Sequence, residues 1–216
     1  MMDNKSKNNV VEVNSTIQSP TVTNAFDMTD EDKIAKIAKH FRAIMETLGL
    51  DLTDDSLKET PKRVAKMYVS EIFSGLNPKN KPEVTLFKNK YGYNQMLVEK
   101  NISVYSMCEH HFVPIIGRAH VAYIANGKVI GLSKIHRIVK YFSKRPQVQE
   151  RLTRQIMENL KQTLNIDDVA VVIDARHMCV ECRGVEDVTS NTITSAISGQ
   201  FQKDSTRSEF MRFIGM

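Results

Sequence analysis

The sequence predicts an α+β fold with a largely antiparallel sheet, helices packed on one side of it, and a helical segment in front. Three observations carry this expectation. Apolar residues recur at helical spacing before about residue 80, the period shortens to that of strands from about Met96, and Asn126-Gly127 separates two apolar runs. Helices first, then a hairpin, a helix pair and further strands is an order that belongs to α+β rather than alternating α/β chains. At 216 residues, with 41% hydrophobic and 25% charged, the composition is globular and excludes wholesale disorder, collagen and coiled coil. No apolar run approaches the roughly 18 residues of a membrane helix, so no membrane partner is expected. Residues 1–28 lack the apolar core of about 7–15 residues that a secretory signal needs, which makes the cytoplasm the expected location.

The first 28 residues, rich in Asn, Ser, Thr and Lys, read as a flexible tail, followed by a helical segment at 29–80 and a second domain at 81–216. Thr29 caps a helix carrying Ile34, Ile37, Phe41, Met45 and Leu48 on one face, and Gly49 stops it. Thr60-Pro61 opens a second helix with Val64, Met67, Tyr68 and Ile72 inward. Strands are expected from Met96 and over Val113–Ile124. The Asn-Gly turn predicts that Ala119–Ala125 pairs with Lys128–Leu132. Ser133 is expected to cap a helix with Ile135, Ile138, Val139 and Phe142 inward. Pro146 is expected to open another, with Leu152, Ile156, Leu160 and Leu164 inward. Strands over Val169–Asp174 and Thr192–Ser198 and a short helix at Ser208–Ile214 complete the chain.

The sharpest chemical feature is Cys108-Glu109-His110-His111 together with Cys179-Val180-Glu181-Cys182. Three cysteines cannot complete a disulfide set, and in a reducing compartment clustered thiols point to metal. Zinc takes such sulfur and nitrogen donors in a tetrahedron. Four ligands from Cys108, His111, Cys179 and Cys182 would close the site as a structural one. Three would leave a position open for water and chemistry. His110 inside the motif, and His177 on the same strand face as Cys179, are spare imidazoles suited to proton transfer. A structural knuckle beside a basic helix, binding nucleic acid, is the competing reading.

The net charge of +5 and a pI near 9.0 favour an anionic partner. Lys134, Arg137, Lys140, Lys144, Arg145, Arg151 and Arg154 face a single acid, Glu150, between Ser133 and Arg154. Ser133-Lys134 at a helix start offers free N–H groups and an ammonium to a phosphate, with Arg137 one turn on. Glu150, an acceptor-only group, matches the adjacent N1–H and 2-amino donors of guanine; the alternative is a surface pair with Arg154.

Cys108-Glu109-His110-His111, Gly131-Leu132-Ser133-Lys134, Arg145 through Thr153, His177-Met178-Cys179 and Arg183-Gly184-Val185 closely resemble GTP cyclohydrolase I. So does the Thr60-Pro61-Lys62-Arg63-Val64-Ala65 helix start. The resemblance implies a tunnelling fold and a toroidal homodecamer with active sites between subunits. It implies a hydrolase that converts GTP and water to 7,8-dihydroneopterin triphosphate and formate, the first step toward folate and other pterins. The family pattern makes Cys108, His111 and Cys179 ligands of one Zn²⁺ and His110 and His177 the acid–base residues. Glu150, with Gln149 nearby, would hold the guanine. Lys134, Arg137 and Arg183 would hold the triphosphate, with Ser133 near the ribose and phosphates and Arg63 a weaker contributor. Neither nucleic acid nor membrane is an implied partner. Cys182 departs from the pattern and is expected to fill space, and His136 stands where Asn is familiar.

Overall fold

The computed structural model describes residues 18–216, so most of the expected tail, residues 1–17, lies outside the described residues. Helix α1 (Asp30–Thr47) starts as its sequence dictates. Thr29 accepts the Asp32 N–H at 3.1 Å, acids fill the first turn, and Gly49 follows in a left-handed conformation. Helix α2 (Thr60–Met67) has Pro61 in its first turn and runs into a π-helical turn at Tyr68–Ile72 and a 3₁₀ turn at Ser74–Leu76.

Four long strands build the sheet: β2 (Met96–Cys108), β3 (Pro114–Ile124), β6 (Val169–His177) and β7 (Thr192–Ile197). A two-residue strand, β5 (Pro146–Gln147), extends it. The order is β5-β2-β3-β6-β7, antiparallel except where β5 runs parallel to the end of β2, pairing Gln147 with Cys108. Helices α3 (Leu132–Ser143) and α4 (Gln149–Leu164) cover one face. Ile135, Ile138 and Val139 from the first, and Leu152, Ile156 and Leu160 from the second, pack on Val104, Val121, Val171 and Ile173. Burying such side chains contributes roughly 1.5–3 kcal/mol each, which makes this interface the main source of stability. Among the described residues, the opposite face is covered at one end only, by α6 (Asp204–Ile214) and the turn before it. There Phe201 and Phe210 meet edge to face at 5.8 Å over Met96, Ala122 and Val172. Gly75 docks the N-terminal helices on the end of α3. A Cβ there would lie 2.0 Å from the Tyr141 carbonyl oxygen, so no larger residue fits.

Three local expectations are corrected. The strand after Asn126-Gly127, β4 (Lys128–Ile130), does not pair with Ala119–Ala125; it pairs antiparallel with β1 (Leu86–Lys88) in a separate ribbon. Strand β3 already has β2 and β6 on its two edges, so no edge is left for a hairpin partner. Gly127 still turns the chain with φ of 72°. Pro146 lies in β5 rather than opening α4, which begins at Gln149, because an edge position tolerates the missing N–H as well as a helix start does. Helix α3 begins one residue before Ser133, with Gly131 at its N-cap, so Ser133 sits inside the first turn.

Candidate functional site

The end of β2, the turn after it and the end of β6 converge at one edge of the molecule. The turn 108–113 is closed by Phe112 N–H to Cys108 O at 2.8 Å and Cys108 N–H to Val113 O at 2.8 Å, with Phe112 left-handed at φ 52°. Phe112 is held there by Phe73, whose ring meets it edge-on at 5.3 Å. Strand β6 ends at His177, and a helical turn, α5 (Met178–Glu181), carries Cys179. The expectation that His177 and Cys179 share a strand face is therefore corrected, although both still reach the same corner.

Sγ of Cys108, a ring nitrogen of His111 and Sγ of Cys179 all lie within 4.8 Å of one another. A tetrahedral zinc with bonds of about 2.0–2.3 Å sets its donors roughly 3.5–3.8 Å apart, so a slight closure completes the site. The donor chemistry fits as well. Burial, and then the neighbouring Cys108 thiol, push the Cys179 thiol above its ordinary range. A thiol that resists ionising beside a second sulfur is what a divalent cation relieves. Cys182 lies outside the cluster. It is exposed instead of filling space, and its thiol donates to Met178 O at 2.9 Å.

The spare imidazoles differ in setting. His110 is exposed, with Nδ1 at 3.8 Å from the Cys108 sulfur and Nε2 at 4.0 Å from Glu109. His177 is half-buried. Desolvation lowers its pKa, and the charge of Glu150 opposes that shift. Glu150 stands exposed in the first turn of α4 and forms no ion pair with Arg154. Gln149 beside it is only 2% exposed and turns its amide inward. Arg183 follows α5 and acts electrostatically on Cys179.

The other basic candidates lie elsewhere in the chain. Ser133, Lys134 and Arg137 are in the first turns of α3, whose His136 bonds Glu99 at 3.1 Å near the opposite end of β2. From Glu99 to Cys108 is on the order of 30 Å at ~3.3 Å per strand residue. One chain thus gathers Cys108, His110, His111, Glu150, His177, Cys179 and Arg183, and leaves the start of α3 far away. Arg63 is exposed on α2.

Sequence reasoning missed the clamp behind the metal turn. Arg151 pairs with Glu109, donates from Nε to Gln147 Oε1 at 3.0 Å and from Nη2 to Pro146 O at 3.0 Å. The Glu109 N–H in turn donates to Gln147 O at 3.0 Å. In sequence Arg151 reads as part of a basic stretch and of the Arg145–Thr153 motif, and nothing in its spacing signals a contact with Glu109. With the Arg side chain 13% exposed, the pair is shielded from water and its loss frees the turn. If the trio holds a metal, Arg151→Ala is expected to weaken that affinity about 10- to 100-fold, read by competition with a chromogenic chelator, while the fold persists.

The GTP cyclohydrolase I family matches residues 37–215. GTP cyclohydrolase 1 of Flavobacterium johnsoniae is 58% identical over 93% of this chain and 90% of its own length. That of Aeromonas salmonicida is 56% identical over 90% of this chain and 89% of its own. Among solved structures, an apo archaeosine synthase QueF-like protein overlaps 48% of this chain and 93% of its own at 19% identity and a TM-score of 0.41, too slight an overlap to add weight. With identity this high over nearly the whole length, and the metal-capable trio in place, the chain belongs to the GTP cyclohydrolase I family.

Proposed function

We propose that the chain converts GTP and water to 7,8-dihydroneopterin triphosphate and formate in the cytoplasm, as a zinc-dependent homo-oligomer of decameric type. The observation that carries the reading is the corner where Cys108, His111 and Cys179 converge with His177 and Glu150 alongside. Those three donors would hold Zn²⁺, which when bound supplies Lewis acidity.

The chain's own residues supply the rest. Glu150 accepts the N1–H and 2-amino hydrogens of guanine side by side and rejects adenine, which lacks that donor pair. His177 and His110 move protons. Protonation at N7 makes C8 electrophilic, and the later ring opening, loss of C8 as formate, sugar rearrangement and ring closure need the same shuttles. Lys134, Arg137 and Arg183 bind the triphosphate, Ser133 adds a hydroxyl beside the N-terminal N–H groups of α3, and Arg63 contributes from α2. The separation of about 30 Å along β2 exceeds the span of one GTP molecule and supports a site completed by the α3 start of a second copy.

The test is incubation of metal-loaded protein with GTP and, separately, ATP. Formate, and a fluorescent pterin after oxidation, are expected from GTP alone; no formate from GTP would overturn the reading. Glu150→Ala is expected to lower kcat/KM for GTP about 10- to 100-fold, the loss of charge-assisted hydrogen bonds worth about 1.5–3 kcal/mol.

A further inference from the structure

We propose that Gln149 is a positioning residue that fixes the ring orientation and tautomer of His177, rather than a contact to guanine. The inference rests on His177 serving as an acid–base group, and it deepens that reading. Gln149 Nε2 lies 3.0 Å from Ile173 O and 2.8 Å from Thr192 O, two carbonyls that can only accept. They settle which end of the amide is nitrogen. Gln149 Oε1 is therefore the atom that faces His177 Nε2 at 2.8 Å, and it can only accept, so Nε2 of His177 carries the hydrogen.

The arrangement is locked from behind. Nε2 of Gln149 also reaches Thr194 Oγ1 at 3.1 Å. Thr194 meets Thr153 hydroxyl to hydroxyl at 2.7 Å, and the Thr153 hydroxyl donates back to Gln149 O at 2.8 Å. Because the Thr153 hydroxyl spends its hydrogen on the Gln149 backbone carbonyl, Thr194 donates to Thr153, and the two amide hydrogens of Gln149 are shared among Ile173 O, Thr192 O and Thr194 Oγ1. Reversing the amide would aim its oxygen at two carbonyls. With His177 thus held, its Nδ1 is the nitrogen that exchanges protons with anything outside, and the ring cannot turn over without breaking the 2.8 Å bond. At 2% exposure, with both amide hydrogens given to the protein and its oxygen facing His177, Gln149 has no donor left to offer a substrate. The residue next to it in sequence, Glu150, points outward and is free to meet one.

The test compares metal-loaded full-length Gln149→Met, His177→Ala and the double variant. Expected is a fall in kcat of about 10- to 100-fold for Gln149→Met, with KM for GTP within about twofold. In the His177→Ala background the second substitution should add nothing, because the effect passes through the imidazole. A raised KM at unchanged kcat would return Gln149 to the guanine and overturn the inference, as would losses that multiply in the double variant. An active His177→Ala enzyme would overturn the acid–base reading itself and the inference with it. Should Gln149→Met fail to fold, the unmutated protein decides. Solid-state ¹⁵N spectra of histidine-labelled enzyme, with His177 assigned by difference from His177→Ala, should show a protonated Nε2 and a bare Nδ1 in the neutral ring. The opposite tautomer would overturn the proposal.

Discussion

Two variants that are each inactive regain activity when their subunits assemble together. Lys134→Ala/Arg137→Ala removes the basic start of α3 and leaves the metal corner intact. His177→Ala removes the proposed acid–base group and leaves α3 intact. If the two ends of β2 serve different active sites, a mixed assembly contains interfaces that combine a sound α3 start with a sound metal corner. Random association of equal amounts makes roughly a quarter of interfaces competent, so co-expressed, doubly tagged protein should recover about that share of the unmutated protein's rate. Each variant alone should lose on the order of 10²-fold or more, since each removes groups that position or charge-stabilise the reacting nucleotide. Mixed assemblies as inactive as their parents would show that the α3 bases do not reach a neighbour's metal.

The second large effect is expected at the proposed metal ligands. Cys179→Ala should reduce bound zinc to below about a tenth of the unmutated content and lower turnover on the order of 10³-fold or more, because Lewis-acid stabilisation is worth several kcal/mol. Cys182→Ala should keep both zinc and activity. Its thiol lies outside the trio and bonds a backbone carbonyl, so it is not positioned to close the tetrahedron. Elemental analysis beside formate release reads both outcomes. Loss of zinc from Cys182→Ala would indicate a closed, structural site instead.

Much of this was legible because local chemistry and tertiary context agreed. The α1 boundaries follow from Thr29 and Gly49, and the inward faces of α3 and α4 from their periodicity. That Cys108 and His111 lie near Cys179 was legible in part: the C-x₂-H spacing pointed to a metal-capable cluster, and the family resemblance, not the spacing, singled out the trio over a set with Cys182. What failed were features decided by distant partners. Asn126-Gly127 is a sound turn signal, but which strand follows depends on β3 having no spare edge, and that is a property of the sheet. Pro146 satisfies helix starts and strand edges equally, and only its pairing beside Met107 selects the strand. The clamp of Arg151 on Glu109 joins residues 42 apart, and the inward turn of Gln149 depends on carbonyls of β6 and the start of β7. Neither leaves a periodic trace.

Among the described residues, β7 has a neighbour on one side only, and β5 borders just the last two residues of β2. The sheet is therefore bounded left and right by unlike strands, each with unused peptide groups. Joining one copy's β7 border to the next copy's β2 border would be a head-to-tail operation without a twofold axis, one that closes a ring where its rotation permits. Closure removes the exposed borders that would otherwise recruit foreign strands. An assembly that completed the proposed site in this way would also protect the chain from indiscriminate aggregation, linking solubility to catalytic competence in one step.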